Sequence, residues 1–183
     1  MDEHLLYHAG FQIIEHPNLR IGRKNADFGQ GFYLSDKEEF SKRWARTRKD
    51  QITYLNRYKI DYTNLAIKFF ERNEEWYNYI LRNRSGHPDS LVSYDIIIGP
   101  IANDTIYNLA GITTSGLLDK EKSISILMIG PEYKQITIKT EKAANALHFI
   151  DAVEITQEEI AAYRELVCKE NQDFQEKVGK ILE

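Results

Sequence analysis

The last part of the chain has the pattern of one long amphipathic helix, which we place at about residues 156–182. Thr156 and Glu159 have the spacing of a capping box, and apolar residues then recur at helical spacing up to Ile181. A helix of this length has to cover its apolar stripe against another layer of structure. The strands that we predict earlier in the chain provide that layer. We therefore predict an α+β fold in which helices pack on antiparallel sheets.

Segments with strand character are short, and turns or helices interrupt them. We predict strands at 5–9, 31–34, 52–60, 65–70, 94–98 and 135–140. We predict helices behind a capping box of Ser35 and Glu38, at 74–84, at 102–110 and in the stretch that ends at Met128. The strand at 135–140 alternates polar and apolar residues, so we expect it to be half-buried with Gln135 on its polar face. A chain of 183 residues suffices for one domain, and we assign 1–183 to it.

Charge and cysteine content argue against several classes of function. The 24 basic and 28 acidic side chains leave a net charge of -4, which gives no electrostatic reason to expect tight binding to nucleic acid or to an anionic membrane. Cys168 is the only cysteine, so neither an internal disulfide nor a thiolate metal cluster can form. The histidines show no metal-ligand spacing, and no apolar run has the length of a membrane span. We expect a cytoplasmic protein without a metal cofactor.

A pair of glycines stands just before the second predicted strand. Gly29 and Gly31 flank a single residue, so the backbone can approach a neighbouring group closely. Tyr33 lies near the end of that strand, and Ser41 and Trp44 are three residues apart on one face of the next helix. Two aromatic rings and a hydroxyl can then bracket a flat ring that carries an amide, as nicotinamide does.

Two segments and their spacing to the next helix resemble a known superfamily. Residues 6–10 (Leu-Tyr-His-Ala-Gly) and 28–34 (Phe-Gly-Gln-Gly-Phe-Tyr-Leu) are similar to motifs of the ADP-ribosyltransferases, in the branch of diphtheria toxin and the poly(ADP-ribose) polymerases. Ser41 and Trp44 follow Tyr33 at that branch's spacing, whereas Ala9 stands where the branch has glycine. The chain also resembles a bacterial group of uncharacterised domains assigned to the superfamily, and 94–104 supports this. The resemblance is specific over residues 5–47.

The resemblance implies that NAD is a substrate and assigns a role to each matched residue. His8 would hold a ribose, the backbone of Ala9 and the hydroxyl of Ser41 would hold the carboxamide, and Tyr33 and Trp44 would stack on nicotinamide. The NAD-binding residues are accordingly His8, Ala9, Gly10, Gly31, Tyr33, Ser41 and Trp44. The catalytic residues are Gln135, His8 and Tyr33.

The chain departs from the superfamily at its catalytic glutamate. Gln135 is the best candidate for that place, and Glu132 is a nearby substitute. A glutamine keeps a hydrogen bond to the ribose but loses the negative charge that stabilises the forming cation. Hydrogen bonds to charged groups contribute roughly 1.5–3 kcal/mol and neutral ones roughly 0.5–1.5, and about 1.4 kcal/mol is a factor of ten in rate. Gln135 is therefore compatible with transfer, but it argues against polymer formation.

We predict a mono-ADP-ribosyltransferase that moves ADP-ribose from NAD to an acceptor and releases nicotinamide. The acceptor is unknown, and a protein ranks ahead of a nucleic acid. One alternative is an inactive module that keeps the fold and binds NAD or a protein partner. Others are an NAD glycohydrolase, with water as the acceptor, and a toxin held by an antitoxin. The C-terminal helix could dock such a partner, although packing on its own domain is the simpler use of its apolar stripe.

Overall fold

The computed structural model describes residues 5–102 and 118–183. The strands are β1 (Leu5–Gly10), β2 (Phe32–Leu34), β3 (Thr53–Ile60), β4 (Ile67–Phe69), β5 (Ile96–Pro100), β6 (Lys134–Ile138) and β7 (Leu147–Ile155). The α-helices in the described ranges are α1 (Glu38–Arg43), α2 (Glu74–Arg84), α3 (Lys120–Leu127), α4 (Glu141–Asn145) and α5 (Gln157–Leu182). Most of the helix predicted at 102–110 lies outside the described residues.

The described strands form two sheets. The first has the order β1-β3-β7 and is antiparallel throughout. The second has the order β2-β6-β5-β4, and its last pair, β4 with β5, is parallel. The predicted α+β fold is confirmed, with the correction that the second sheet is mixed rather than purely antiparallel.

The two sheets meet at β1 and β2. The backbone of Tyr7 pairs with that of Ser35, with hydrogen bonds of 2.9 Å and 3.0 Å in the two directions. Buried side chains from both sheets pack behind this junction, among them Leu6, Phe32 and Ile136. The sheets therefore share one apolar core, and the end of β1 lies beside β2.

The long helix α5 begins with the predicted capping box, in which Thr156 and Glu159 exchange side-chain and backbone hydrogen bonds. Part of its predicted stripe is buried: Phe174 and Val178 pack with Ile126 of α3, and Ile160 packs in a cluster of the first sheet. Ion pairs join the helix to α1, one between Glu159 and Lys42 at 2.9 Å and one between Glu170 and Arg43. In the described ranges, no helix has the length and apolar content that crossing a membrane needs.

The prediction for β6 is wrong in its burial. Gln135 is 6% exposed and Thr137 is 0% exposed, so both faces of the strand are covered. Ile136 and Ile138 face the core shared by the two sheets. The opposite face lies under a second cluster to which α2 contributes Trp76 and Ile80, α3 contributes Leu127, and the neighbouring strand β5 contributes Ile97. Because β6 is a central strand, its alternation of polar and apolar residues does not mean that one face is exposed to solvent.

The prediction of a capping box at Ser35 is also wrong. The helix starts later, with Lys37 as its N-cap and no side-chain cap. The hydroxyl of Ser35 instead accepts a hydrogen bond from the backbone N–H of Lys37 at 3.1 Å, which makes a turn before the helix. The helix α1 is six residues long, and Trp44 occupies its C-cap.

The sequence patterns also missed β7 and α4. We assigned no element between 140 and 156, yet β7 pairs with β3 along nearly its whole length. The burial along β7 does not alternate strictly, and a register shift opposite Arg57 and Tyr58 interrupts the pairing. A strand with such an interruption loses the two-residue period by which strands are recognised.

Candidate functional site

A cavity of about 230 Å³ opens at the junction of β1, β2, α1 and β6. It brings together six of the predicted site residues, which come from segments up to 127 positions apart: His8, Ala9, Tyr33, Ser41, Trp44 and Gln135. We therefore take this cavity as the candidate functional site.

His8 lies at the junction of the two sheets, where β1 approaches β2. Its Nδ1 is 2.8 Å from the carbonyl oxygen of Tyr33, and because a carbonyl only accepts, Nδ1 carries the proton and donates it. Burial lowers the pKa of His8, so the ring is neutral at pH 7. The Phe32 ring packs against it with the centroids 4.5 Å apart. In this tautomer Nε2 is left as a hydrogen-bond acceptor.

Tyr33 uses its hydroxyl to hold the loop that precedes β2. The hydroxyl donates to the carbonyl of Gly29 at 2.6 Å and accepts from the backbone N–H of Phe28 at 3.0 Å. Burial raises the pKa of Tyr33 far above its usual range, so the phenol stays protonated. Since the loop occupies the hydroxyl, the ring itself is what Tyr33 offers to the cavity.

Ser41 and Trp44 place the end of α1 against the cavity. Ser41 is 5% exposed, and its hydroxyl donates to the carbonyl of Tyr7 at 3.1 Å. The oxygen of Ser41 can still accept a hydrogen bond from a ligand. The ring of Trp44 meets that of Phe40 edge to face, and Phe40 in turn stacks on Tyr133 with the centroids 4.4 Å apart. These contacts fix the aromatic side of the cavity.

Gln135 carries a buried polar atom that the described residues leave unpaired. Its strand position is opposite Gly99 of β5, and its side-chain Nε2 has no hydrogen-bond partner in the described parts of the chain. Leaving a buried amide unpaired costs about 1–3 kcal/mol. Glu132, the substitute we considered, is exposed and is not among the described residues that line the cavity. Gln135 is thus the residue of β6 whose side chain is available to bind a ligand.

Gly10 and Gly31 are not among the described residues that line the cavity, and both are closely packed. A Cβ on Gly10 would lie 3.3 Å from Nε2 of His8. A Cβ on Gly31 would lie 2.5 Å from the carbonyl oxygen of Ile138. The structure therefore gives these glycines a packing role beside the site, where a side chain would displace the imidazole or the partner strand.

The sequence patterns did not predict several of the residues that line the cavity, among them Tyr7, Arg23, Asp27, Ser35, Phe40 and Ile101. Asp27 forms an ion pair with Arg84 at 2.8 Å, and both side chains are only 9% exposed. Arg23 and Asp27 lie between the predicted strands at 5–9 and 31–34, in a segment to which we assigned neither helix nor strand. A loop has no periodicity, so the sequence contained no signal that could assign them to the site.

The comparisons with known proteins identify a family but assign it no activity. A family model described as "Protein of unknown function (DUF3990)" matches residues 4–149. The matched range contains every lining residue named above and ends before α5 begins. No curated protein and no solved structure matches the chain.

Proposed function

This chain belongs to the DUF3990 family, and we propose that it is a mono-ADP-ribosyltransferase that takes NAD as its substrate. One observation carries the proposal: three sequence segments that resemble ADP-ribosyltransferase motifs, or stand in their place, converge on a single cavity. Together, the segments contribute the groups that nicotinamide and its ribose require, namely aromatic rings, a hydroxyl, a neutral imidazole and an amide.

In our proposal, nicotinamide lies between the rings of Tyr33 and Trp44. The proton of the Ser41 hydroxyl is directed to the Tyr7 carbonyl, so its oxygen is free to accept from the carboxamide NH₂. The backbone of Ala9, which also lines the cavity, supplies the second contact to the carboxamide. Stacking and two polar contacts together orient the ring that has to leave.

The neutral His8 and Gln135 are the groups for the ribose. The Nε2 atom of His8 accepts from a ribose hydroxyl, which requires the tautomer that the Tyr33 carbonyl imposes. In the reaction the bond between ribose C1′ and the nicotinamide nitrogen breaks, and its electron pair leaves with nicotinamide. The acceptor then bonds to C1′ and loses its proton. The amide of Gln135 stabilises the sugar cation by hydrogen bonding alone, more weakly than a carboxylate would.

We propose a protein side chain as the acceptor, with an antitoxin or other partner protein as a further possible ligand. Transfer to water, which would make the chain an NAD glycohydrolase, uses the same cavity and the same first step. The neutral amide of Gln135 favours a second candidate function, a module that binds NAD without cleaving it. Modified protein would identify the transferase, and free ADP-ribose would identify the glycohydrolase. NAD that is bound but left intact would identify the binding module.

Titration calorimetry with NAD and with nicotinamide tests the proposed pocket. We expect Ser41→Ala to weaken both ligands by about three- to tenfold, because each loses one hydrogen bond. The matched control is Ser125→Ala, which removes the same hydroxyl from an exposed position on α3. Absence of NAD binding at millimolar concentration by the folded wild type would overturn the proposal.

Nicotinamide release tests catalysis separately from binding. We expect slow release by the wild type and faster release by Gln135→Glu, which restores a negative charge beside the ribose. If the wild type binds NAD but only Gln135→Glu releases nicotinamide, the chain is the inactive module. Mass spectrometry of added proteins shows whether ADP-ribose is transferred to a side chain or to water.

A further inference from the structure

Arg23 is the one cationic side chain among the described residues that line the cavity, and the proposed reaction does not yet use it. It is exposed, and no hydrogen bond or ion pair joins it to another described residue. An arginine that lines a ligand cavity without a protein partner has its guanidinium donors available for an anion.

The backbone before Arg23 is held in place. Gly22 lies so close to the start of β2 that a Cβ there would be 2.4 Å from the carbonyl oxygen of Gly31. The side chain of Gln30 donates to the carbonyls of Arg20 at 2.7 Å and Gly22 at 3.0 Å. These contacts fix the chain at the position from which Arg23 extends.

The backbone after Arg23 is anchored as well. The Asp27 carboxylate is paired with Arg84, and the Asp27 carbonyl accepts from the side-chain N–H of Asn83 at 3.0 Å. Residues 23–27 therefore form a short span with both ends tied to the body of the protein. The backbone position from which the exposed Arg23 side chain extends is therefore fixed at the cavity.

The other ionisable groups of the described cavity wall do not neutralise Arg23. Arg84 already balances the carboxylate of Asp27, and burial keeps His8 neutral. The neighbouring Lys24 lines a different cavity, together with Gly29 and His87. The described wall of the first cavity therefore presents one unbalanced positive charge.

We propose that Arg23 binds the diphosphate of NAD, and that it makes the site prefer a diphosphate-bearing nucleotide to nicotinamide alone. This inference rests on the proposed function. A guanidinium matches two phosphate oxygens in a bidentate pair. Because Arg23 is exposed, the attraction is screened by salt, so the affinity for NAD falls as ionic strength rises.

The test compares Arg23→Gln with Lys24→Gln, a neighbouring variant that loses the same charge from another cavity. The two ligands are NAD and nicotinamide, measured by calorimetry at low and high salt. We expect Arg23→Gln to lower the affinity for NAD about tenfold or more at low salt and to make that affinity less dependent on salt. The affinity for nicotinamide should not change. Lys24→Gln should bind both ligands as the wild type does, and Arg23→Lys should bind NAD with intermediate affinity.

Three outcomes overturn the inference, and they are distinguishable. If Arg23→Gln binds NAD as tightly as the wild type does, Arg23 does not contact the diphosphate, while the proposed function stands. If Arg23→Gln lowers the affinities for NAD and for nicotinamide equally, the substitution has disturbed the nicotinamide pocket instead. If the wild type binds neither ligand, the proposed function itself fails, and the inference fails with it.

Discussion

The Nδ1 atom of His8 lies 2.8 Å from the carbonyl oxygen of Tyr33, so a side chain of one sheet is hydrogen bonded to the backbone of the other. The backbone pair of Tyr7 and Ser35 lies directly beside this contact. Residues 6–10 and 28–34, the two segments that resemble ADP-ribosyltransferase motifs, are thus in contact where the sheets join. The same hydrogen bond fixes the tautomer of the imidazole that faces the proposed ribose.

The partly buried imidazole of His8 predicts a specific dependence of the free energy of unfolding on pH. Burial lowers the pKa of His8 below its ordinary value of 6.5, so below pH 6.5 the unfolded chain binds a proton that the folded chain does not. His8 therefore lowers the free energy of unfolding as the pH falls below 6.5, and it has no such effect above it. We expect His8→Gln to lose less stability than the wild type between pH 7.5 and pH 5, measured by urea unfolding.

The control for this experiment is His87→Gln, because His87 is exposed. Its stability should follow the wild-type pH profile. An unchanged profile in His8→Gln would mean that the pKa of His8 is the same in the folded and the unfolded chain, so burial would not be what keeps the imidazole neutral.

The close approach at Gly31 predicts that a single methyl group disturbs the site. In Gly31→Ala the new Cβ would lie 2.5 Å from the Ile138 carbonyl oxygen and 2.8 Å from Cγ2 of Thr137, so β2 has to move away from β6. We expect a loss of about 1–3 kcal/mol in stability, as for other overpacked positions. Because Tyr33 lies on the same strand, NAD binding should weaken as well.

Gly179→Ala is the matched control for that substitution. Nothing lies within 4 Å of a Cβ at Gly179, which is in the long helix α5. An alanine there should raise stability by about 0.5–1 kcal/mol, since glycine is the poorer helix former. If Gly31→Ala leaves the unfolding midpoint unchanged, or raises it as Gly179→Ala should, the contact at Gly31 does not constrain β2.

The ion pair of Asp27 and Arg84 predicts strong coupling between a cavity wall and α2. In Arg84→Met the Asp27 carboxylate stays buried without its partner, and such a loss typically costs about 3–5 kcal/mol. The double variant with Asp27→Leu removes both charges and should recover much of the stability. Urea unfolding of the two single variants and the double variant gives the coupling energy. A coupling near zero would show that solvent already screens the pair.

The parts of the site that the sequence could predict are those that depend on local spacing. Ser41 and Trp44 share a helix face because they are three residues apart, and Tyr33 is near enough in sequence for the same motif to include it. The burial of Gln135 depends on the side chains that α2 and α3 pack over β6. The pattern of residues within β6 does not predict those contacts. The placement of Arg23 depends on loop contacts made by Gln30 and Gly31, which have no periodic signal.

The unpaired amide of Gln135 predicts that function and stability oppose each other at this position. Methionine has a similar length and no polar hydrogen to leave unpaired, so Gln135→Met should raise the free energy of unfolding by about 1 kcal/mol. The same substitution should abolish nicotinamide release, because it removes the group proposed to face the ribose. Urea unfolding and a nicotinamide assay on the same preparation measure both effects.

Asn56→Leu provides the comparison for this last prediction, because Asn56 is a fully buried amide whose groups are paired. Its side-chain N–H donates to the carbonyls of Gln12 at 3.0 Å and His8 at 3.4 Å, and its oxygen accepts from the backbone of Ile14 at 2.8 Å. Removing that amide leaves backbone groups without partners and should lower stability. If Gln135→Met lowers stability in the same way, the Gln135 amide is already paired in the folded protein and is not held for a ligand.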